Sequence, residues 1–284
     1  MRKISLHGGH SGQYCDHARD TLAQIVAAYH DAGFECIGLT EHMPPFDDAW
    51  LYPDEAGLGR TAKWMQARFA NYVAEARALQ HAYRGRMGIL VGMESEWYPG
   101  CGPWVASLRE THGLDYVVGS VHHVGGECVD FSKQDYERIA TRYGGLAPLY
   151  AAYFDAQLEM MQAIKPEVVG HFDLIRMHDP NYLQTLTQAD VWERVLRNLD
   201  WMAKAGAVLD VNARALLKGQ AQPYVCAPIL DAAAKLGVGV AYGDDAHGVT
   251  DVGCGFARVE ELLAQRRMKG PETSSSQVLR QIGG

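Results

Sequence analysis

The sequence predicts an α/β domain of the parallel type, either a closed barrel or a large doubly wound sheet. Three observations carry this. Seven short apolar, β-like runs alternate with helical patterns along the 284 residues. The runs are apolar at nearly every position, as strands buried on both faces must be. No repeat, Pro/Gly linker or charge block divides the chain, so one core serves its length.

The elements follow in order. "KISLH" (3–7) is the first strand. Behind Asp20 or Thr21 as a cap, Leu22, Ile25, Val26 and Tyr29 recur at helical spacing, and Gly33 ends that helix. "ECIGLTEH" (35–42) is the second strand and its exit, followed by a long polar and aromatic loop and a helix over about 59–83. "MGILVGMESEW" (87–97) and "DYVVGSVHH" (115–123) are the next two strands. A helix around 146–164 leads into "PEVVGHFDLIR" (166–176), and another around 188–205 leads into "AVLDVNAR" (207–214). "LDAAAKLG" is helical, and "VGVAYGDDAH" (238–247) is the seventh strand. The domain is expected over 1–268, with a polar tail at 269–284.

Composition sets the class. Apolar content of 48%, charged content of 21% and a net charge of -8 describe a soluble globular protein whose surface does not invite nucleic acid or anionic membranes. The six cysteines form no C-x-x-C pair, and the amino terminus turns polar too soon for a signal peptide. No apolar run reaches membrane-spanning length. A reduced, cytoplasmic setting is expected, and nothing in the sequence sets an oligomeric state.

The polar residues carry the chemistry. "SLHGGHSGQYCDHA" crowds His7, His10 and His17 together just after the first strand. Five of the six later strands also run into a metal-capable residue: His42, Glu94, His122, His171, then Asp245 and His247. In a parallel barrel the carboxyl ends of the strands converge on one face, so residues two hundred positions apart can share a pocket. Imidazoles and carboxylates suit Zn, Fe(II) or Mn(II), and the want of nearby cysteine ligands argues against a structural zinc knuckle. His30, His81 and His112 lie on helical or loop segments without this context and read as structural. His123 and His178 neighbour site residues and read as supporting or surface groups.

The ordered segments "HSGQYCDH", "GLTEHMP", "GMESEWYPG", "DYVVGSVHH", "GHFDLIR", "LDVNARALLKG" and "YGDDAH" resemble the polymerase and histidinol phosphatase (PHP) superfamily, in its monofunctional histidinol-phosphatase branch. The resemblance implies a distorted (β/α)7 barrel holding two or three divalent metals (Zn, Mn or Fe). It implies that His7 and His10 hold the first metal with Glu94 and Asp245. Glu94 would bridge to a second metal on His122 and His171, and His17, His42 and His247 would hold the third. Glu94, Asp245 and His247 are then the expected catalytic residues. The family opens with H-x-H whereas this chain has H-x-x-H, so His7 must reach the metal by a one-residue shift that two glycines permit.

The expected activity is hydrolysis of a small phosphomonoester, L-histidinol phosphate, by a metal-activated water. Three dications against two ligand carboxylates leave a local charge of about +4, attractive to a phosphate dianion. Arg176, Arg214 and Lys218 are the candidate phosphate clamps. Glu96, Asp47 and Asp48, with Phe46, Trp50, Trp97 and Tyr98, are candidates to receive the amine and imidazole of the substrate. The alternatives are a PHP-type enzyme acting on nucleotides or short oligonucleotides, for which no basic track is visible, and a non-catalytic metal-binding module, against which the near-complete ligand set argues.

Overall fold

The computed structural model describes residues 3–266 and Met268; the expected tail at 269–284 lies outside the described residues. The strands are β1 (Lys3–Ser5), β2 (Phe34–Leu39), β3 (Gly88–Val91), β4 (Met93–Ser95), β5 (Val117–Gly119), β6 (His123–Val124), β7 (Glu127–Cys128), β8 (Val168–Val169), β9 (Val208–Asn212) and β10 (Gly239–Gly243). β6 and β7 form an antiparallel hairpin outside the main sheets. The others pair in parallel in two groups, β1-β2-β3 and β10-β9-β8-β5-β4.

Both seams between the groups are joined. At one, β3 continues through Gly92 into β4, so a single segment pairs with β2 in its first half and β5 in its second. At the other, the Leu6 N–H donates to the Tyr242 carbonyl at 2.8 Å and the Asp245 N–H to the His7 carbonyl at 2.9 Å. The result is a distorted seven-stranded α/β barrel.

The strands are shorter than their apolar runs suggest. To the main sheets "PEVVGHFDLIR" contributes only Val168–Val169, and "DYVVGSVHH" only Val117–Gly119. The ladder stops where inward polar side chains begin, and the chain then bends to aim them at the site. The helices are α1 (Leu22–Asp31), α2 (Pro53–Gly57), α3 (Ala62–Ala82), α4 (Cys101–His112), α5 (Lys133–Arg142), α6 (Leu146–Ile164), α7 (Tyr182–Leu186), α8 (Ala189–Ala205), α9 (Arg214–Leu217), α10 (Ala227–Leu236) and α11 (Phe256–Gln265). Of the two proposed caps for α1, Thr21 is the one used, in a reciprocal capping box with Gln24. No helix of the described residues is long and apolar enough to cross a membrane.

Period-two alternation explains how the barrel builds its site. The lumen is filled by Ile4, Leu6, Cys36, Tyr116, Val118, Val168, Val208 and Ala241, with Leu90 against them. The alternate residues Ile37, Ile89, Val117, Val169, Leu209 and Val240 face the helices. Two residues further along four of the inward rows come glycines: Gly38, Gly92, Gly170 and Gly243. They leave room for what crosses the barrel. A Cβ on Gly92 would stand 2.8 Å from the Tyr116 ring, and one on Gly243 would stand 2.8 Å from the His7 Cβ. The rows through Gly38, Gly92 and Gly243 then arrive at His42, Glu94 and Asp245, and the row of Tyr116 and Val118 at His122. Spaced by twos, apolar bottom, glycine layer and polar top are stacked by the strand repeat itself.

Candidate metal centre

Nine residues expected at the site meet at this mouth of the barrel: His7, His10, His17, His42, Glu94, His122, His171, Asp245 and His247. Glu94 is 2% exposed and stands at the centre. Its Oε1 lies 2.8 Å from His171 Nε2, 3.4 Å from His7 Nε2 and 3.5 Å from His122 Nε2, while its Oε2 lies 3.0 Å from His42 Nδ1. His10 Nε2 faces Asp245 Oδ1 at 3.4 Å, and His17 Nε2 faces His247 Nε2 at 3.0 Å. Ligand atoms close enough to share one ion occur as His7, His10 and Asp245; as His7, Glu94 and His171; as His10, His42 and Glu94; and as Cys15, His17, His42 and His247.

The H-x-x-H spacing is accommodated at Gly8 and Gly9. Gly9 takes φ 79°, and a Cβ on Gly8 would meet Asp244 Oδ1 at 2.5 Å and the Tyr29 hydroxyl at 2.7 Å. Both histidines therefore turn inward from one short segment. Two ligand-type residues carry left-handed backbone, His171 at φ 22° and Asp245 at φ 51°. Such strain persists where the surroundings hold it. Here the Asp245 N–H bonds the His7 carbonyl and the His171 N–H bonds Asp210 Oδ2 at 3.2 Å.

The imidazoles are oriented from behind. His7 donates Nδ1–H to Asp210 Oδ2 at 2.8 Å, and His122 donates Nδ1–H to Glu96 Oε2 at 2.9 Å. His247 Nδ1 lies 2.8 Å from the Asp245 carbonyl, which can only accept. Each bond takes up Nδ1 and turns Nε2 into the cleft. His10, with its Nδ1 3.5 Å from Glu41 Oε2, is turned in the same sense. His7 Nε2, both His10 nitrogens, His42 Nε2, His171 Nδ1 and Asp245 Oδ1 are buried without hydrogen-bond partners. Orphaned polar atoms in such number are costly unless a cation satisfies them, and the donor set fits divalent zinc, iron or manganese.

The electrostatics fall into two groups. Burial, reinforced by His247 and His42, holds His10 well below the usual imidazole range. Burial likewise lowers His17 to about 4 and His247 to about 3. These rings are neutral and free to ligate. Burial acts the same way on His122, but Glu96 overrides it and lifts His122 to about 10. For Glu94, burial pushes up while His7 and hydrogen bonds from His171 and His42 push down harder, leaving it a carboxylate. Burial raises Glu41 to about 7 against two hydrogen bonds from Ser11.

The proposed substrate contacts fare differently. Arg214 and Lys218 line the cleft with His17, His42, Glu94, His122, His171, Asp245 and His247. Arg176 does not. Its Nε bonds Asp173 at 2.9 Å, its Nη2 bonds the Gln222 and Pro223 carbonyls at 3.0 and 2.6 Å, and its Nη1 bonds Gln220. The turn Leu174–His178 rotates it away from the metal-type cluster, where it clamps the segment at 220–226. Glu96 is likewise committed, holding His122 with one oxygen and the Tyr52 hydroxyl with the other, at 2.9 Å each. Asp47 and Asp48 accept from the backbone of Ala49 and Ala62 and do not line the cleft.

A cavity of about 320 Å³ adjoins the cluster, walled by Trp50, Tyr52 and Tyr98, with Asp54, Glu55 and Asp130 among its lining. Trp50 and Tyr98 stack at 4.3 Å. The sequence reading missed these three acids, and it missed Asp210, Glu41 and Cys15. Asp210 had a readable signal: an acid inside an otherwise apolar buried strand needs a partner.

The PHP domain family matches residues 6–214. This chain belongs to that family. The "Probable histidinol-phosphatase" of Schizosaccharomyces pombe is 34% identical to this PHP-domain chain over 264 residues, covering 92% of it and 85% of the relative. The "Histidinol-phosphatase" of Saccharomyces cerevisiae is 29% identical over 291 residues, covering 90% and 87%. Among solved structures, the histidinol phosphate phosphatase of Lactococcus lactis, complexed with zinc, L-histidinol and phosphate, superposes with a TM-score of 0.68. It is 19% identical and covers 95% of each chain, a likeness of fold.

Proposed function

We propose that the chain is a metal-dependent phosphomonoesterase that hydrolyses L-histidinol phosphate to L-histidinol and phosphate. The observation that carries this reading is Glu94, a buried carboxylate with imidazole groups on both of its oxygens, in a PHP-domain chain whose relatives bear the histidinol-phosphatase name. His7, His10, Glu94 and Asp245 would hold one ion, Glu94, His122 and His171 a second, and His17, His42 and His247 a third. Bound divalent metals would supply Lewis acidity toward the phosphoryl oxygens and acidify water for in-line attack.

The chain's own residues supply the rest. Asp210 and Glu96 fix the His7 and His122 imidazoles, so those donors need no reorganisation during turnover. Lys218 is exposed at the mouth shared by the cleft and the aromatic cavity, and among the described residues it makes no ion pair. It is placed to meet a phosphate oxygen. Arg214 commits Nη1 to Asp251 at 2.9 Å and keeps other N–H groups for the cleft. The aromatic walls with Asp54, Glu55 and Asp130 suit a leaving group bearing an ammonium and an imidazole. The same acids disfavour nucleic acid, whose flanking phosphates would lie against them.

The test is a comparison of kcat/KM for histidinol phosphate, AMP and a short oligonucleotide, using protein stripped by chelator and reloaded with Mn, Zn or Fe. The expected result is a preference of at least tenfold for histidinol phosphate, about 1.4 kcal/mol, only after reloading. A tenfold preference for either nucleotide substrate would overturn the assignment.

A further inference from the structure

Cys15 stands where the sequence offers no obvious reason for a thiol. The turn from Ser11 to Ala18 is tied by the Tyr14 and Cys15 N–H groups to the Ser11 carbonyl, at 2.9 and 2.8 Å, and by Ala18 N–H to the Cys15 carbonyl at 3.3 Å. This brings Cys15 and His17 to the same cluster. The Cys15 side chain is buried, and its Sγ lies within 4.8 Å of the ligand nitrogens of His17, His42 and His247. Other thiols are accounted for differently. Cys101, Cys128 and Cys254 point Sγ at the Glu96 carbonyl, the Asp130 carboxylate and the Thr250 carbonyl, and Cys36 fills the barrel lumen.

The imidazoles beside Cys15 are set up as donors. His247 gives its Nδ1–H to the Asp245 carbonyl, which leaves Nε2 a lone pair, and His42 engages Glu94 through Nδ1 while its buried Nε2 has no hydrogen-bond partner. His10, fully buried with neither ring nitrogen satisfied, is stacked between His42 and His247 at 4.5 and 4.4 Å. Three histidine nitrogens and one sulfur match a four-coordinate zinc site in donor number and type.

We propose that Cys15 is a fourth protein ligand to the metal position framed by His17, His42 and His247. This rests on the reading of the cluster as a metal centre and extends it. As the sulfur–metal bond forms, the thiol proton leaves to solvent, and no electron is transferred. The added thiolate lowers the local positive charge by one and biases this position toward zinc and cobalt over manganese, which favours oxygen ligands. The three positions of the cluster are then chemically unequal.

The experiment uses the full chain, stripped by chelator and reloaded with Co(II) alone. Imidazole and carboxylate ligands give weak visible d–d bands, whereas a thiolate adds an intense near-ultraviolet sulfur-to-cobalt charge-transfer band. The expected result is both, with the charge-transfer band lost in Cys15→Ser and retained in Cys128→Ser and Cys254→Ser. Visible bands with no charge-transfer band in wild type, or a band unchanged in Cys15→Ser, overturn the role of Cys15 and leave the metal centre standing. No retained cobalt overturns both. X-ray absorption of the zinc-loaded wild type needs no variant: a sulfur scatterer at about 2.3 Å is expected, and its absence refutes the ligation.

Discussion

Arg176→Ala should unfold the protein earlier without disabling its chemistry. Arg176 and Asp173 are 3% and 1% exposed, and the guanidinium lies between the rings of Tyr182 and Tyr224, 4.8 Å from each centroid. Truncation leaves the Asp173 carboxylate buried with no charged donor, held only by Cys226 through its N–H at 2.9 Å and its thiol, and strips a charged donor from two carbonyls. Breaking one side of a buried pair costs about 3–5 kcal/mol. At roughly 2–4 °C per kcal/mol for a chain of this size class, Tm should fall by about 6–20 °C. Thermal unfolding followed by circular dichroism reads this directly. A double variant, Asp173→Asn with Arg176→Met, removes both charges and should recover much of the loss. Because the clamped segment carries Tyr224 beside His171, kcat/KM measured well below Tm should drop, but by less than tenfold. An unchanged Tm with a kcat/KM loss beyond tenfold would refute this reasoning and restore Arg176 as a phosphate ligand.

Two further outcomes follow from the site. Glu94→Gln should lose metal content and lower kcat by several kcal/mol, on the order of 10³-fold, with an unchanged far-ultraviolet spectrum; full activity in the variant would remove Glu94 from the centre. Lys218→Ala should lower kcat/KM for histidinol phosphate by about 1.5–3 kcal/mol with no change in Tm or metal content, since the lysine is exposed; a kinetically silent variant would show that phosphate does not reach it.

The barrel was legible because parallel strands announce themselves as apolar runs, and the gathering of His, Asp and Glu at its mouth because six of the seven runs end in such a residue. What was not legible depends on direction. Nothing local in "GHFDLIR" says that a 3-10 turn over Leu174–His178 will carry Arg176 away from the cleft. "GMESEW" offers Glu94 and Glu96 as equals, yet one occupies the centre while the other is consumed by His122 and Tyr52. Strand ends were overestimated for a related reason: hydropathy continues through Gly170 and Ser120, where the ladder has already given way to site geometry. Cys15 was passed over because single cysteines carry no spacing signal, and only the turn at 11–18 reveals its company.

The supporting carboxylates change the electrostatic argument for substrate choice. Two ligand carboxylates against three dications leave about +4, but Asp210, Glu96 and Glu41 are buried behind the same histidines. With these ionised, the centre would carry only about +1 to +2, since burial holds Glu41 at about 7, and less with a thiolate at Cys15. A field that weak does not by itself select phosphate dianions from an acidic protein's surroundings. On the proposed reading, attraction would then fall to Arg214 and Lys218, which line the cleft, and discrimination to the cavity beyond them. That cavity presents Asp54, Glu55 and Asp130 beside Trp50, Tyr52 and Tyr98. A leaving group with an ammonium meets complementary charge there, whereas a nucleoside offers none and a polynucleotide brings further negative charge against the acids. Preference for a small cationic phosphomonoester therefore follows from the wall of the cavity, while the metals account for the chemistry.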